Sequence, residues 1–413
     1  MINGKMTIRS VIEQYPDAIG LFVAAGLGDL IEGEKFKKVA SFLTLESALK
    51  SSGKDPHTFI KELSDQIKTS QISTDITLLK RDQTDWDAIG VIPMAIHLQM
   101  LEAFETFTTD LADEKSLEFS GRMASAQEGS EWIAELYQDV EDPTLLPDIC
   151  LGRGYDFFFS KTFQKRFIET GVFHKGPAQQ ENSDFKGLGL QDPKGNYNVF
   201  AVIPAVFVVK ESALNDLPIP RTWEALLGSD YKNYVAMPDC NADLPRAVLL
   251  SLYSRFGEDG VRRLASNVSQ LLHPSQLVKK IRSSAKDAPA VSIMPYFFSQ
   301  VVQQIPGITV VWPEDGTVVE PLYILSKSES KYCKSDSEAM EAAKDFFLGS
   351  TVASIFAKGH FPALHPDVNN GIPDDVPLWW VGWDFLEKHD VIALAANLHA
   401  IFDAERGANR SNE

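Results

Sequence analysis

Two kinds of hydrophobic spacing divide the chain. Near the N-terminus, apolar residues recur three or four positions apart, as they do on one face of a helix. Thr7 and Thr44 are suited to cap the first turns of helices, and Gly26-Leu27-Gly28 is suited to end one. The pattern predicts a small all-α domain over residues 1–70, followed by a linker over residues 71–85.

From residue 86 onward, short apolar strands alternate with segments of helical spacing. A β-α-β-α-β order predicts parallel strands with helices on both faces of a sheet. Pro204 interrupts a long strand, which is typical of an edge or of a crossing between sheets. The predicted strands are 89–94, 116–119, 146–151, 198–209, 234–237, 290–294, 308–312 and 318–326, and the predicted helices include 95–108, 243–256 and 264–272.

The strand at 318–326 can cross back to the first sheet. Two crossings that join two α/β lobes are typical of a hinged clamshell. We therefore predict lobe I over residues 86–202 and 319–413, including C-terminal helices, and lobe II over residues 203–318.

Charge and composition exclude several kinds of protein. The formal net charge is −18, which argues against a nucleic-acid surface and against docking on an anionic membrane. No apolar run approaches the roughly 18 residues that insertion into a membrane needs. The N-terminus lacks the pattern of a secretory signal, and three widely spaced cysteines fit free thiols in a reducing compartment. We expect a cytoplasmic protein, although a signal trimmed from an exported protein stays possible.

In open α/β sheets, ligands bind beyond the carboxyl ends of the strands. Arg153, between two glycines, could grip a carboxylate or oxyanion with its forked guanidinium, or lie on the surface beside a turn. Tyr296 could bind a ligand or line the cleft, and Asp239 could instead cap a helix. The predicted ligand-binding residues are Ser120, Gly121, Arg122, Gly152, Arg153, Gly154, Asp239, Cys240, Asn241 and Tyr296.

The sequence offers little for catalysis or metal binding. Its histidines lack the spacing of a zinc site, and the motifs GxSxG, P-loop and HExxH do not occur. We therefore predict no metal, cofactor or catalytic residue. Trp379, Trp380 and Trp383 are expected to anchor the C-terminal tail onto a lobe.

Four segments resemble type 2 periplasmic-type solute-binding proteins of ABC transporters, particularly the ferric-iron-binder branch. They read IPRTWEALLGSDYKNYVAMPD, FGEDGVRRLASNV, VVWPEDGTVVEPLYILSKS and AMEAAKDFFLGSTVASIFAKGHFPALHPDV. Iron-binding relatives often have two adjacent tyrosines where this chain has Tyr296-Phe297. The run TIRSVIEQYPDAIGLFVAAGLG resembles the small helical domain of unknown function (DUF1858-like) found in iron–sulfur repair proteins, but without that family's cysteines.

The resemblance implies an α/β fold, a two-lobed clamshell with a small all-α N-terminal domain. It implies that a small solute, such as an anion, a carboxylate or a metal complex, binds between the lobes. We expect a binding protein, sensor or carrier, with residues 1–70 as a possible docking module for a protein partner. Two alternatives stay open: a cytoplasmic enzyme that uses Cys240, and an exported transporter component.

Overall fold

The chain divides into two compact units, residues 1–84 and 85–413. A computed structural model describes part of the first unit and most of the second. The described residues are 3–14, 43–52, 55–56, 59–60, 86–126, 130–173, 181–239, 243–283 and 288–411.

The described part of the first unit includes the helices α1 (Ile8–Gln14) and α2 (Leu45–Ser51). The hydroxyl of Thr7 accepts from the backbone N–H of Ser10 at 3.2 Å, and Thr44 accepts from Ser47 at 3.3 Å. Both predicted caps are thus confirmed, because each hydroxyl satisfies an N–H that the first helical turn leaves unpaired. The predicted glycine turn and the predicted linker lie outside the described residues.

The second unit is built on two sheets that share long strands. The strands are β1 (Ala88–Ile92), β2 (Gly121–Ser125), β3 (Ile149–Arg153), β4 (Asn198–Lys210), β5 (Val235–Met237), β6 (Val268–Leu271), β7 (Val291–Pro295), β8 (Ile308–Val311), β9 (Thr317–Ser326) and β10 (Leu378–Trp379). The strand order is β2-β1-β3-β9-β4-β7-β5-β6, with β8 beside β4 and β10 beside β9.

Strand β4 belongs to both sheets and changes partners at its proline. Residues 198–204 pair with β9, whereas residues 205–210 pair with β7 and β8. Pro204 has no N–H to donate to a ladder, so the change of partner occurs where the proline interrupts pairing. The predicted crossing is confirmed. Strand β9 pairs antiparallel with β4 up to Pro204 and, farther along, with β3 of lobe I. It is therefore the second strand that passes between the lobes.

Helices cover the two sheets. The longest of them, Asp243–Asn267, contains a break at Gly257, whose φ of 64° is non-helical. In the larger unit the helices are α3 (His97–Lys115), α4 (Glu131–Tyr137), α5 (Lys161–Phe163, continued by a π-helical turn over Gln164–Ile168), α6 (Trp223–Leu226), α7 (Asp243–Asn267), α8 (Pro274–Arg282), α9 (Tyr296–Gln300), α10 (Ser337–Leu348), α11 (Ser350–Lys358), α12 (Trp383–Lys388) and α13 (Val391–Ser411). Among the described helices, none is long and apolar enough to cross a membrane.

Three predicted boundaries differ from the structure. Residues 116–119 are not a strand: Ser116, at φ 57°, ends α3 in the left-handed conformation, and β2 starts only at Gly121. Residues 268–271 are strand β6 instead of helix, because they pair in parallel with β5. Helix α13, predicted as part of lobe I, packs against α7 of lobe II.

Candidate functional site

The carboxyl ends of the parallel strands of both lobes meet at one cleft. In lobe I, β3 ends at Arg153; in lobe II, β5 ends at Met237 and helix α7 begins at Asp243. Contacts join these ends across the cleft: Nη1 of Arg246 on α7 donates to the carbonyl of Tyr155 at 2.9 Å. The residues after β3 and at the start of α7 therefore face each other, as ligand-binding residues of such folds do.

Two glycines allow the close packing at the end of β3. A Cβ on Gly152 would lie 2.3 Å from Cζ of Tyr323, so only glycine leaves room for that ring. Gly154 has a φ of 59°, which disfavours other residues. A Cβ there would also lie 3.3 Å from Asp243 and from Glu320. Both glycines therefore allow close packing at the end of β3, and the N–H of Gly154 donates to the carbonyl of Pro321 at 2.8 Å.

A buried aspartate holds the turn that follows β3. Asp156 accepts hydrogen bonds from the backbone N–H groups of Arg153 (3.1 Å) and Phe158 (3.0 Å), and from the hydroxyl of Tyr323. Burial raises the pKa of Asp156 to about 6, although these hydrogen bonds oppose the shift. The turn is thus clamped to the crossing strand β9, which carries Tyr323.

An ionic cluster joins the end of β3 to β9 and to the start of α7, so it contains residues of both lobes. Nε of Arg153 donates to Oε1 of Glu320 at 2.9 Å and lies 3.1 Å from Oδ2 of Asp243. Nη1 of Arg246 lies 3.6 Å from the other oxygen of Asp243. The Asp243 carboxylate thus forms ion pairs with one arginine of each lobe. Among the described residues, neither terminal nitrogen of Arg153 has a hydrogen-bond acceptor.

Burial governs the charges in this cluster. The Glu320 side chain is fully buried on a crossing strand, and its Oε2 has no hydrogen-bond partner among the described residues. Burial raises the pKa of Glu320 to about 7, against the opposing effect of Arg153. For Arg153, burial lowers the pKa, but Glu320 and Asp243 outweigh it, so the pKa is raised and the guanidinium stays charged.

Tyr296 makes a second contact between the lobes. It begins α9, and its hydroxyl donates to the carbonyl of Gly371 at 3.3 Å. Its ring lies 4.6 Å from Trp312 and 5.6 Å from His360. Burial raises the pKa of Tyr296 and lowers that of His360, which favours the neutral form of each side chain. Within the described part of the chain, no group of three or more His, Cys, Asp or Glu side chains could hold a metal ion.

The predicted residues around β2 lie at the opposite edge of the sheet. Because β2 begins at Gly121, residues 120–122 are at its amino end, away from the carboxyl ends that line the cleft. The N–H and hydroxyl of Ser120 donate to Asp87 at 2.7 and 2.8 Å. Arg122 lies 4.0 Å over the ring of Trp132. The structure therefore assigns these three residues to packing and loop anchoring.

The remaining predicted residues follow β5. Asp239 is exposed two residues after the strand, while Cys240 and Asn241 lie outside the described residues. The sequence interpretation missed Glu320, Arg246 and Asp156. For Glu320 a signal was available: an acid in the apolar run VVEPLYIL must be buried, and buried acids need a partner.

The fold is shared with solved solute-binding structures. An ABC transporter protein from Clostridium perfringens is 16% identical, with a TM-score of 0.54 over 76% of this chain and 99% of that one. The ferric binding protein from Campylobacter jejuni is 11% identical, with a TM-score of 0.52 over 77% and 98%. The apo ferric ion-binding protein A from Pasteurella haemolytica is 10% identical, with a TM-score of 0.53 over 78% and 98%. At such identities the likeness concerns the fold alone.

Sequence families give the same assignment. Residues 2–60 match a domain of unknown function, DUF1858, which confirms the resemblance of the N-terminal unit. No curated protein matches the chain. Residues 145–389, more than half of the chain, match the family described as bacterial extracellular solute-binding protein. The chain therefore belongs to the bacterial extracellular solute-binding proteins, on a two-lobed α/β fold with a helical N-terminal unit.

Proposed function

We propose that the cleft binds a small carboxylate or oxyanion and that Arg153 and Arg246 hold it between the lobes. The observation that carries this proposal is their shared counter-ion: one arginine from each lobe lies beside the same carboxylate, Asp243. An anion that takes the place of Asp243 would keep both arginines neutralised. The terminal nitrogens of Arg153, which have no acceptor among the described residues, supply the forked donor that such an anion prefers.

In this proposal Asp243 is an internal substitute for the ligand. It occupies the arginines while the cleft is empty, so the two positive charges are never buried without a partner. Glu320 is a positioning residue: its bond to Nε fixes the guanidinium plane and leaves the terminal nitrogens for the solute. Ligand binding would then favour the closed arrangement through contacts with both lobes.

A panel of oxalate, citrate, sulfate and phosphate tests the proposal at constant ionic strength. At least one anion should raise the midpoint of thermal unfolding, and calorimetry should give its dissociation constant. The double variant Arg153→Gln/Glu320→Gln removes the guanidinium without leaving Glu320 as an unpaired buried charge. It should weaken binding by about 10- to 100-fold, since charged hydrogen bonds contribute about 1.5–3 kcal/mol each.

The control is Arg221→Gln, because Arg221 is 61% exposed and pairs only loosely with Glu314 at 3.5 Å. Its affinity for the anion should equal that of the wild type. The proposal fails if no anion binds, or if the double variant binds as tightly as Arg221→Gln.

Binding without catalysis is part of the proposal. The enzyme alternative depends on Cys240, which lies outside the described residues. Rapid alkylation of Cys240 at neutral pH, blocked by a metabolite, would favour the enzyme instead. A cytoplasmic location and a partner for residues 1–70 are also proposed. Cell fractionation against compartment markers and co-purification with residues 1–84 as bait test these two points.

A further inference from the structure

The chain crosses between the lobes a third time, after the two crossing strands. Beyond α11 it passes along lobe I, pairs as β10 with the start of β9, and ends as helix α13 on lobe II. We propose that residues 378–411, here called the C-terminal strap, tie the lobes together and hold them in the closed arrangement. This inference rests on the two-lobed fold and does not depend on which solute binds.

Two tryptophans attach the strap to lobe I. Nε1 of Trp380 donates to the carbonyl of Leu188 at 2.9 Å, and Nε1 of Trp383 donates to that of Leu190 at 3.1 Å. The ring of Trp383 also lies 5.7 Å from Tyr197, just before β4. Indole groups combine a large apolar area with one directional bond, so they anchor a segment both by burial and by geometry.

The third tryptophan and helix α13 attach the strap to lobe II. The ring of Trp379 lies 3.5 Å from Cζ of Arg255 on α7. At the far end, Ser266 donates to Glu405 at 3.1 Å, and Nε of Arg406 donates to the first carbonyl of β6 at 3.2 Å. The buried side chains of α13 are Val391, Ala395, Leu398 and Phe402. The tryptophans thus anchor the tail onto both lobes, whereas one lobe was expected from the sequence.

A segment bonded to both lobes restricts their rotation about the hinge. Opening turns lobe II about the crossing strands near Pro204 and Glu320, where β4 and β9 pass between the lobes. The strap must then release its indole bonds or bend between α12 and α13. Helix α13 begins beyond residue 389, where the family match ends. If the strap keeps the lobes closed before a solute binds, the apparent affinity rises for any solute that binds only the closed arrangement.

Distances between the lobes test this inference without any ligand. One spin label is placed at position 135 on α4 of lobe I and one at position 279 on α8 of lobe II, and both positions are exposed. The labels are attached to a ketone amino acid, so the native cysteines do not react. The full-length wild type should give one narrow distance distribution. Trp380→Phe/Trp383→Phe keeps aromatic rings but loses both N–H donors. It should add a longer-distance population of about 10% or more of the molecules.

The control is Tyr231→Phe, which loses one side-chain bond to a backbone carbonyl, from its hydroxyl to Pro218 at 2.6 Å, inside lobe II and away from the strap. It should lower stability and leave the distances unchanged. Should the tryptophan pair be needed for folding, Glu405→Ala/Arg406→Ala loosens the other end of the strap and should produce the same longer distances. If the folded strap variants give the same label-to-label distances as the control, the inference is overturned. Unchanged distances would leave the anion proposal intact, because that proposal is measured by affinity.

Discussion

At the scale of single residues, Glu320 is a fully buried acid whose charge depends on its neighbours in the ionic cluster. It is fully buried on a crossing strand and accepts from Arg153, while Asp243 and Arg246 of α7 complete its charged surroundings. Removing a carboxylate from water disfavours its charged form, and one arginine shared with a second acid does not fully compensate. The charge of this residue should therefore depend on pH near neutrality.

The raised pKa of Glu320 predicts a specific dependence of stability on pH. Its pKa is about 7 in the folded protein and 4.5 ordinarily, so the folded state binds the proton more tightly. The resulting stabilisation is complete below about pH 4.5 and is lost as the pH rises to about 7. Relative to Glu320→Gln, which does not titrate, the wild type should lose stability between pH 5 and 7 and show a constant difference above about pH 8.

Urea unfolding at pH 5, 6, 7 and 8, at fixed ionic strength, measures this difference. Glu314→Gln is the control, since Glu314 is 60% exposed and its ion pair is loose. The stability difference between that control and the wild type should not vary over the same range. Parallel pH profiles for the wild type and Glu320→Gln would contradict the prediction.

At the scale of elements, the turn after β3 determines where the ionic cluster forms. Its left-handed residue, Gly154, lies against Asp243 and Glu320, and its N–H donates to the carbonyl of Pro321 at 2.8 Å. The turn therefore brings the end of a lobe I strand against both α7 and β9. Any side chain here would push these elements apart.

Gly154→Ala should accordingly destabilise the protein through two effects. The left-handed φ disfavours alanine by about 1–2 kcal/mol, and the crowded site adds about 1–3 kcal/mol. Gly187→Ala isolates the first effect, because Gly187 has a φ of 83° and no neighbouring atom within 4 Å of a Cβ. Urea unfolding should show the larger loss for Gly154→Ala. Equal losses of stability in the two variants would mean that Asp243 and Glu320 move enough to make room for the added methyl group.

At the scale of the whole molecule, the chain consists of two units with separate cores. The buried residues Ile8, Val11 and Leu45 belong to the first unit, and the large core cluster begins at Trp86. Units that each have a hydrophobic core of their own are expected to fold independently.

Residues 85–413 should therefore fold without residues 1–84. The shortened protein should unfold cooperatively within about 2 °C of the main transition of the full chain, because a change of 1 kcal/mol shifts the midpoint of a larger domain by only about 2–4 °C. Scanning calorimetry of both proteins measures this. Loss of cooperative unfolding in the shortened protein would show that the first unit is required for the fold.

Much of the architecture followed from local patterns. The alternation of strands and helices and the proline at position 204 predicted two α/β lobes joined by crossing strands, and the structure has both. Local patterns failed where pairing between distant residues decides the outcome. Residues 268–271 have a helical pattern but pair with β5, and residues 116–119 have a strand pattern but only connect α3 to β2.

Of the residues in the ionic cluster, only Arg153 was predicted as a site residue, for the same physical reason. Periodicity and turn chemistry are properties of neighbouring residues, so the sequence by itself determined the two lobes and a strand that leads into Arg153. Which charges face Arg153 depends on residues 90 and 167 positions away along the chain, Asp243 and Glu320. Only the tertiary structure decided that pairing, because burial and distance, which set the charge of each group, arise when the lobes and the crossing strands pack together.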